Sequence, residues 1–594
     1  MQEFKDNWLP SLKNSVPPEA FGYTVSMYSI ALEGWRRGLT LKFINNNQRR
    51  SEIDYSLTYK GKEREFSVTR GDIVPRKAIK ICVNKDLTKK ALLDAGVPTP
   101  KGETFGEESS DESIIQYSKR LGYPVVLKPS DGTGGNGVIA NIKNEEEFKE
   151  ALSYVKYDLN YSKLIVEKHF TGEDYRLYVI DDKVIGGFKK IPANIIGDGK
   201  NSIRYLMKKK NQERNSTPAL HKRIIKVDKE LHSILRSKGY TLESIPRNGE
   251  QVFLKTKNNV SAGGDSVDVT DELTDEIKNI AIKASNAIPG LVQCGVDIMV
   301  NKEENTGVIL EVNSRPHITA HLYPWKGKAR DIPKAIIDYY FPETVTNNDD
   351  NQPKFYFDFK SVFDAFQSGY AKEITIPDIP SGTLTATRFI VSGNIKGVNY
   401  EKWVRKQARS LKLNGYIKHL ENDKSVVVVA GSKKSIEKFR NFITKKSSKR
   451  AKVTNVVEKS RKSPVKVGFE ILDDEPTKAS VTKTNTVANK PVKNTVSNKN
   501  KVRPANEDNT PNVSVDGYFP VRMKNPSSKS KSKKKTSSVK KRYNGSDELK
   551  MTKIDLKKVK KERDFYKKRF EAIKKSRSWR ITEPMRKFST FIKR

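Results

Sequence analysis

The sequence predicts a mixed α/β and α+β protein, and three observations carry that prediction. Strand-like and helix-like periodicities alternate from about residue 85 to 345, with a glycine loop after one strand and acids set into two others. Residues 385 to 472 read in the order β-α-β-β-α-β, the pattern of a ferredoxin-like sandwich. Beyond residue 473 large apolar side chains thin out and Lys, Ser, Thr, Asn and Pro take over. Such a composition cannot bury enough surface to offset ordering entropy.

At 594 residues the chain is too long for one domain. The expected division is an N-terminal α/β unit over 1–84, a central domain over 85–345, a linker over 346–384, the sandwich over 385–472, a disordered basic linker over 473–545 and a helical tail over 546–594. The formal net charge is +42, and it is unevenly placed. From Lys445 onward there are 44 basic against 15 acidic residues, a net of +29, so the back of the chain is a polycation. The two cysteines, Cys82 and Cys294, lie in apolar runs and read as reduced, buried thiols. The first residues lack the basic start and apolar core of a signal peptide, and no run approaches the roughly 18 apolar residues of a membrane helix. The expected location is cytoplasmic, with the tail peripheral at the inner face of the membrane.

Taken in order, Ser26 to Gly38 has helical spacing and stops at a glycine. Arg36 and Arg37 at its end answer the helix dipole. Leu39–Ile44, Tyr55–Tyr59 and Arg64–Val68 alternate as strands. Asn84 to Gly96 reads as one helix and 112–121 as another. In the sandwich, Ala386–Ser392 is the first strand. Tyr400–Lys412 is a helix with Trp403, Val404, Ala408 and Leu411 on one side. Tyr416–Leu420 and Ser425–Ala430 are strands, Ile436–Phe442 a second helix, and Val465–Ile471 the last strand. Ser546-Asp547 caps the final helix, where Leu549, Leu556, Val559, Tyr566, Phe570 and Ile573 make a short heptad seam with Thr552 and Arg563 filling its gaps.

The chemistry concentrates between Gly122 and Asn313. Asp131-Gly-Thr-Gly-Gly-Asn-Gly137 follows a strand ending in Lys128-Pro; glycines let backbone amides close on phosphate oxygens, and a lysine adds charge. It is neither a Walker loop nor a dinucleotide fingerprint. Asp297 and Glu311 sit in apolar strand patterns, and Asn313 shares the face of Glu311 two residues on. Acids so placed need partners or a metal, and two carboxylates with an amide oxygen are the hard ligands magnesium prefers. Exposed strand ends are the structural alternative. His317 and His321 are four apart, but Pro316 breaks helix there, and a loop role is expected rather than a metal pair.

These motifs, in this order, resemble the ATP-grasp superfamily of carboxylate–amine ligases over roughly residues 80 to 345. The likeness is nearest to the ATP-grasp domains of cyanophycin synthetase and fused bacterial glutathione synthetases. The matching phrases are Glu173-Asp-Tyr-Arg-Leu-Tyr-Val179, Ile196-Gly-Asp-Gly-Lys200, Asn259 to Asp271 and His321-Leu-Tyr-Pro-Trp-Lys-Gly327. The resemblance implies an ATP-grasp fold with ATP and Mg2+ as cofactors, Mn2+ being the alternative ion. Lys85 and Lys128 would contact phosphates under a loop containing Gly132, Gly134, Gly135 and Gly137. Glu167 and Lys168 would lie along the adenine hinge, and Asp174 would bind ribose. Asp297, Glu311 and Asn313 would hold the metal, while Arg176 and Arg315 would steady an acyl phosphate. The chain departs from the usual Asn-x-x-Pro-Gly, reading Asn313-Ser-Arg-Pro-His317, and the large ligase domains that follow in cyanophycin synthetase are absent.

Residues 385–472, with Gly393 to Glu401 and Asn414 to His419, resemble acylphosphatase. That family places a phosphate-binding arginine where this chain has Glu401 and a water-orienting asparagine where it has His419, so a fold without hydrolase activity is expected. Ser576 to Arg586 resembles tails of bacterial cell-surface polysaccharide enzymes.

The expected function is therefore an ATP-dependent ligase joining a small-molecule or peptide carboxylate to an amine through an acyl phosphate, in cell-surface polymer biosynthesis. The alternatives are a non-catalytic ATP-grasp scaffold of a surface-polysaccharide assembly and, against Glu401, an acylphosphatase. The basic tail is expected to meet an anionic membrane surface or a cell-surface polymer, with nucleic acid ranked lower, and its seam to permit a homo-oligomer.

Overall fold

The computed structural model describes residues 7–45, 53–130, 136–345, 354–420, 423–445 and 451–472. The expected disordered linker, heptad helix and basic tail lie outside these residues, as do Gly132, Gly134 and Gly135 of the glycine loop.

The N-terminal unit packs the helix Thr24–Arg36 on an antiparallel sheet built from Thr40–Ile44, Asp54–Tyr59, Lys62–Ser67 and Arg70–Gly71. Gly34 lets the helix approach the sheet: a Cβ there would sit 2.6 Å from a methyl of Leu57. The sheet does not end with its own residues. Its outer strand is Glu373–Thr375, paired antiparallel to Thr40–Ile44. Arg36 donates to the backbone oxygens of Phe355 and Ser11, and Arg37 pairs with Glu33 and Asp338, so both arginines tie segments together rather than only answering a dipole.

The helix expected over 84–96 is Lys85–Asp94, and another helix not expected from the sequence, Arg76–Val83, precedes it. Asn84 is the break: extended in backbone, it caps Lys85–Asp94 by accepting from the Leu87 N–H. A four-stranded antiparallel sheet follows, in the order Gly102–Phe105, Leu164–Lys168, Val125–Pro129, Ile139–Ile142. A five-stranded antiparallel sheet runs Asp265–Asp268, Lys183–Ile191, Glu173–Ile180, Gln293–Asn301, Thr306–Asn313. The chain passes between the sheets through His169–Gly172, and residues 193–254 form a small lobe with its own apolar cluster.

The sandwich has the sheet order Lys452–Ser460, Leu384–Asn394, Lys424–Ser432, Asn414–His419, Phe469–Leu472, with Tyr400–Ser410 and Lys433–Lys445 on one face. The sequence missed Lys452–Ser460, a largely polar edge strand without the apolar alternation that marks the others. The run Ser425-Val-Val-Val-Val-Ala430 is buried on both faces. Val427 and Val429 pack under the helices with Phe389, Val404 and Phe439. Val426, Val428 and Ala430 turn to the other side, into a cluster with Phe355, Phe357, Phe359, Trp35 and Phe43.

That second cluster corrects the linker expected over 346–384. From residue 354 the segment contains a strand paired in parallel with Val465–Lys466, the helix Phe359–Gln367 and the strand that completes the N-terminal sheet. Its aromatic side chains join sandwich and N-terminal unit in one apolar core.

Candidate active site

The candidate residues fall into two groups, one on each central sheet. On the smaller sheet, Lys85 begins its helix and its Nζ donates to the Pro129 carbonyl at 3.2 Å. Lys128 and Glu167 occupy neighbouring strands, and Lys128 Nζ lies 2.5 Å from Glu167 Oε2. Lys89 Nζ reaches Oε1 of the same carboxylate at 3.0 Å. Burial alone would raise the Glu167 pKa, but the attraction of Lys128 and Lys89 outweighs it and the carboxyl is held below its usual value. Lys168, expected along the adenine hinge, has its side chain engaged with backbone. Its Nζ donates to the Gly122 and Tyr123 carbonyls, satisfying the end of the helix Asp111–Leu121. Gly137, the described end of the glycine loop, has φ +71°, and a Cβ there would meet the Pro129 ring at 2.7 Å.

On the larger sheet, Arg176, Asp297 and Glu311 stand side by side across three strands, in the register pairs Arg176–Asp297 and Asp297–Glu311. Arg176 holds Asp297 in a two-point grip, Nε to Oδ1 at 2.6 Å and Nη2 to Oδ2 at 2.5 Å. Lys190 adds a third cationic partner at 3.0 Å and bridges to Asp174 at 2.9 Å. Burial pushes the Asp297 pKa upward, yet Arg176 and Lys190 overcome it and hold the carboxyl well below the usual range. Asp174, buried and facing the negative Asp297, stays raised despite Lys190. Lys190 was not singled out in the sequence, although Gly187-Phe-Lys-Lys-Ile191 places it one strand over from Asp174; Lys89 was missed too, hidden on the surface of an ordinary helix.

Glu311 and Asn313 share one half-buried face, and neither side chain has a hydrogen-bond or ion-pair partner among the described residues. No group of three or more His, Cys, Asp or Glu placed to hold a metal occurs among the described residues, so an ion bound by Asp297 and Glu311 would need the Asn313 amide as its third oxygen donor. The donor set fits a hard divalent cation. Asp297 Oδ1 is taken by Arg176 and Lys190, whereas Oδ2, held by Arg176 alone, keeps a further lone pair.

The loop after Asn313 is fastened to the N-terminal unit. Thr69 Oγ1 donates to the Pro316 carbonyl at 2.8 Å, Ser26 Oγ accepts from the Ile318 N–H at 3.1 Å, and Arg70 and Arg315 reach Ser314 and Ser67. His317 stacks on Tyr23, whereas His321 is buried between Phe188 and Tyr178. The two rings have separate surroundings and form no metal pair. Burial and nearby arginines push both histidines down to about 3, so both are neutral at pH 7.

In the sandwich, Glu401 Oε2 lies 3.6 Å from His419 Nε2, and His419 Nδ1 is 2.8 Å from Ser425 Oγ. Glu401 and His419 thus share the corner that, by the acylphosphatase resemblance, would hold an anion.

Residues 84–226 match the family Carbamoyl-phosphate synthase L chain, ATP binding domain; residues 241–339 match the RimK-like ATP-grasp domain; residues 387–471 match Acylphosphatase. The chain is 31% identical over 349 residues to a cyanophycin synthetase of Trichormus variabilis, covering 58% of this chain and 36% of that protein. It is 31% identical over 264 residues to the glutathione biosynthesis bifunctional protein of Desulfotalea psychrophila, covering 43% and 33%. Among solved structures, a bifunctional glutathione synthetase from Pasteurella multocida aligns with TM-score 0.40 and 26% identity, covering 51% of this chain and 42% of that one. The chain spans about a third of the length of these curated relatives. It carries an ATP-grasp domain followed by an acylphosphatase-like domain. Among the described residues no helix is long and apolar enough to cross a membrane.

Proposed function

We propose that this chain is an ATP-dependent carboxylate–amine ligase that forms an amide through an acyl phosphate. The observation that carries the reading is the row Arg176, Asp297, Glu311 on adjacent strands, with Asn313 on the Glu311 face. Cations and hard oxygen donors converge there within a fold whose relatives are named as synthetases. Phosphoryl transfer to a carboxylate asks little covalent chemistry of a protein; it asks for alignment and neutralisation of developing charge.

Lys85, Lys128 and the backbone of the loop through Gly137 hold ATP phosphates in this reading. Asp297, Glu311 and Asn313 hold Mg2+, or Mn2+ in its place, which supplies Lewis-acid neutralisation of phosphate oxygens when bound. Arg176 and Lys190 fix the Asp297 carboxylate, and Arg315 faces the acyl group. Asp174 orients the ribose. The substrates are a small-molecule or peptide carboxylate and an amine. The basic tail localises the enzyme to an anionic surface, in keeping with cell-surface polymer synthesis.

The test is ADP release from ATP by the full chain across a panel of amino acids and acidic peptides, with Glu311→Ala alongside. The reading expects amine- and carboxylate-dependent ADP release that disappears in the variant. No substrate-dependent release, or unchanged release in Glu311→Ala, would overturn it.

A further inference from the structure

We propose that Arg223, Tyr23 and His317 form a subsite for a second carboxylate of the substrate, at the loop that follows the metal-binding end of the strand Thr306–Asn313. The proposal rests on the ligase reading and names its substrate class: a compound or peptide with two carboxylates.

Arg223 is only 9% exposed, yet no carboxylate pairs with it among the described residues. Its guanidinium lies 3.6 Å over the Tyr23 ring, and its one hydrogen bond, to Thr319 Oγ1, is long at 3.5 Å. Nη2 is buried with no partner at all. A buried, always-charged fork with one arm unsatisfied is costly unless an anion completes it. The other side of the group is equally incomplete. His317 stacks on Tyr23 at 4.1 Å, and its Nδ1 is also buried without a partner. Burial and then the guanidiniums of Arg223, Arg315 and Arg176 hold this ring neutral, so Arg223 and the imidazole sit side by side without a carboxylate of their own among the described residues. Tyr23 is 48% exposed and is steadied through its hydroxyl, 2.6 Å from Ser261 Oγ, so the stack opens to solvent.

Position links this group to the reaction. Glu311, Asn313, Arg315 and His317 are half-buried, while Val312, Ser314, Pro316 and Ile318 between them are buried. The strand ends at Asn313, and the loop that follows carries Arg315 and His317 toward the Tyr23 stack, with the His317 ring near enough to feel Arg176 of the site row. Asn313 and His317 are at most about 14 Å apart along the chain. A substrate with one carboxylate at the phosphate and another roughly 10 Å away spans both ends. Stacking of Arg223 on Tyr23 for support alone would not leave Nη2 and His317 Nδ1 both unpartnered.

Calorimetric titration of the full chain without ATP tests this, using the peptide Glu-Glu-Glu, its neutral counterpart Gln-Gln-Gln, and inorganic phosphate. The acidic peptide should bind and the neutral one should not. Arg223→Gln should weaken the acidic peptide at least ten-fold, Arg223→Lys should restore part of it, and ADP affinity should be the same in all three proteins. Tyr23→Ala, at an exposed position, should weaken it several-fold and serves if Arg223→Gln unfolds. Equal peptide affinity in wild type and Arg223 variants, binding of phosphate in preference to the peptide, or no binding to wild type would overturn the subsite. Peptide binding that depends on Arg223, without ATP turnover on any substrate, would keep the subsite and sink the ligase reading instead.

Discussion

Arg176 and Asp297 face each other across adjacent strands and share two hydrogen bonds, Nε to Oδ1 at 2.6 Å and Nη2 to Oδ2 at 2.5 Å. This pair separates two kinds of acid in one site. Asp297 is 5% exposed and neutralises Arg176 and Lys190; Glu311, its neighbour on the other side, has no such duty. Asp297→Asn should therefore cost roughly 3–5 kcal/mol, because Arg176 loses its counter-charge and Lys190 is left with Asp174 alone. Glu311→Ala should change stability by no more than about 0.5 kcal/mol while abolishing ATP turnover. Thermal unfolding of both variants beside an ADP assay checks this; equal destabilisation would show that Glu311 is structural.

His321 predicts an acid sensitivity. Its folded pKa, lowered to about 3 by burial and by Arg176, lies below the unfolded value near 6.5. As pH falls below about 6.5 the unfolded chain takes up a proton that the folded ring refuses, so stability drops by about 1.4 kcal/mol per pH unit from this residue. His321→Phe keeps an aromatic ring against Phe188 and removes the titration. Its unfolding midpoint should fall less between pH 6.5 and 4 than that of wild type; parallel curves would refute the assignment.

Asp331 runs the opposite way. Burial and Glu33 raise its pKa to about 6 in the folded protein. The folded state therefore holds a proton that the unfolded one releases near pH 4, and the stability this supplies is lost as pH climbs through about 6. Asp331→Asn can still cap the helix Ile332–Tyr340, where Asp331 accepts from the Lys334 N–H at 3.0 Å. The variant should gain stability on wild type above pH 6 and lose that advantage at pH 4. A gap that does not vary with pH would rule this out.

The acylphosphatase-like domain should not hydrolyse benzoyl phosphate in the full chain, since Glu401 would repel the anion. It should also fail to fold when excised as residues 385–472. Excision would expose Ala386, Val426, Val428 and Ala430, which share a core with Phe355, Phe357 and Phe359. A fragment starting at residue 354 recovers part of that surface but not Trp35 and Phe43. A soluble, cooperatively unfolding 385–472 fragment would show that the shared core is dispensable.

Removal of residues 473–594 should leave ATP turnover intact and abolish binding to anionic liposomes, an attraction that should weaken as salt is raised. Loss of turnover in the shortened chain would mean that the tail serves the site itself.

The strand placement of the acids was legible because strand alternation is local. The acids in Val296-Asp-Ile298 and Leu310-Glu-Val312 announced adjacent strands, and the structure pairs them directly. The direction of a long side chain is not local. The partners of Lys168 Nζ are carbonyls just past the end of the helix Asp111–Leu121, which only the tertiary fold brings close. The segment 354–376 was opaque for a related reason. Its short strands find partners far away in sequence, Thr40–Ile44 and Val465–Lys466, and no window of neighbouring residues contains that information.

The pairing of Glu373–Thr375 with Thr40–Ile44 matters most while the protein is being made. A ribosome adding about 5–20 residues each second needs roughly 16–65 s to travel from one strand to the other. Throughout that interval the first strand presents a bare row of N–H and C=O groups at the margin of a sheet, with Leu41 and Phe43 beside it. Such an edge recruits any strand within reach, including the same strand on a neighbouring nascent chain. The N-terminal unit thus cannot be sealed co-translationally on its own, and its yield in a cell should depend on holdase chaperones and on the pace of translation across the central domain.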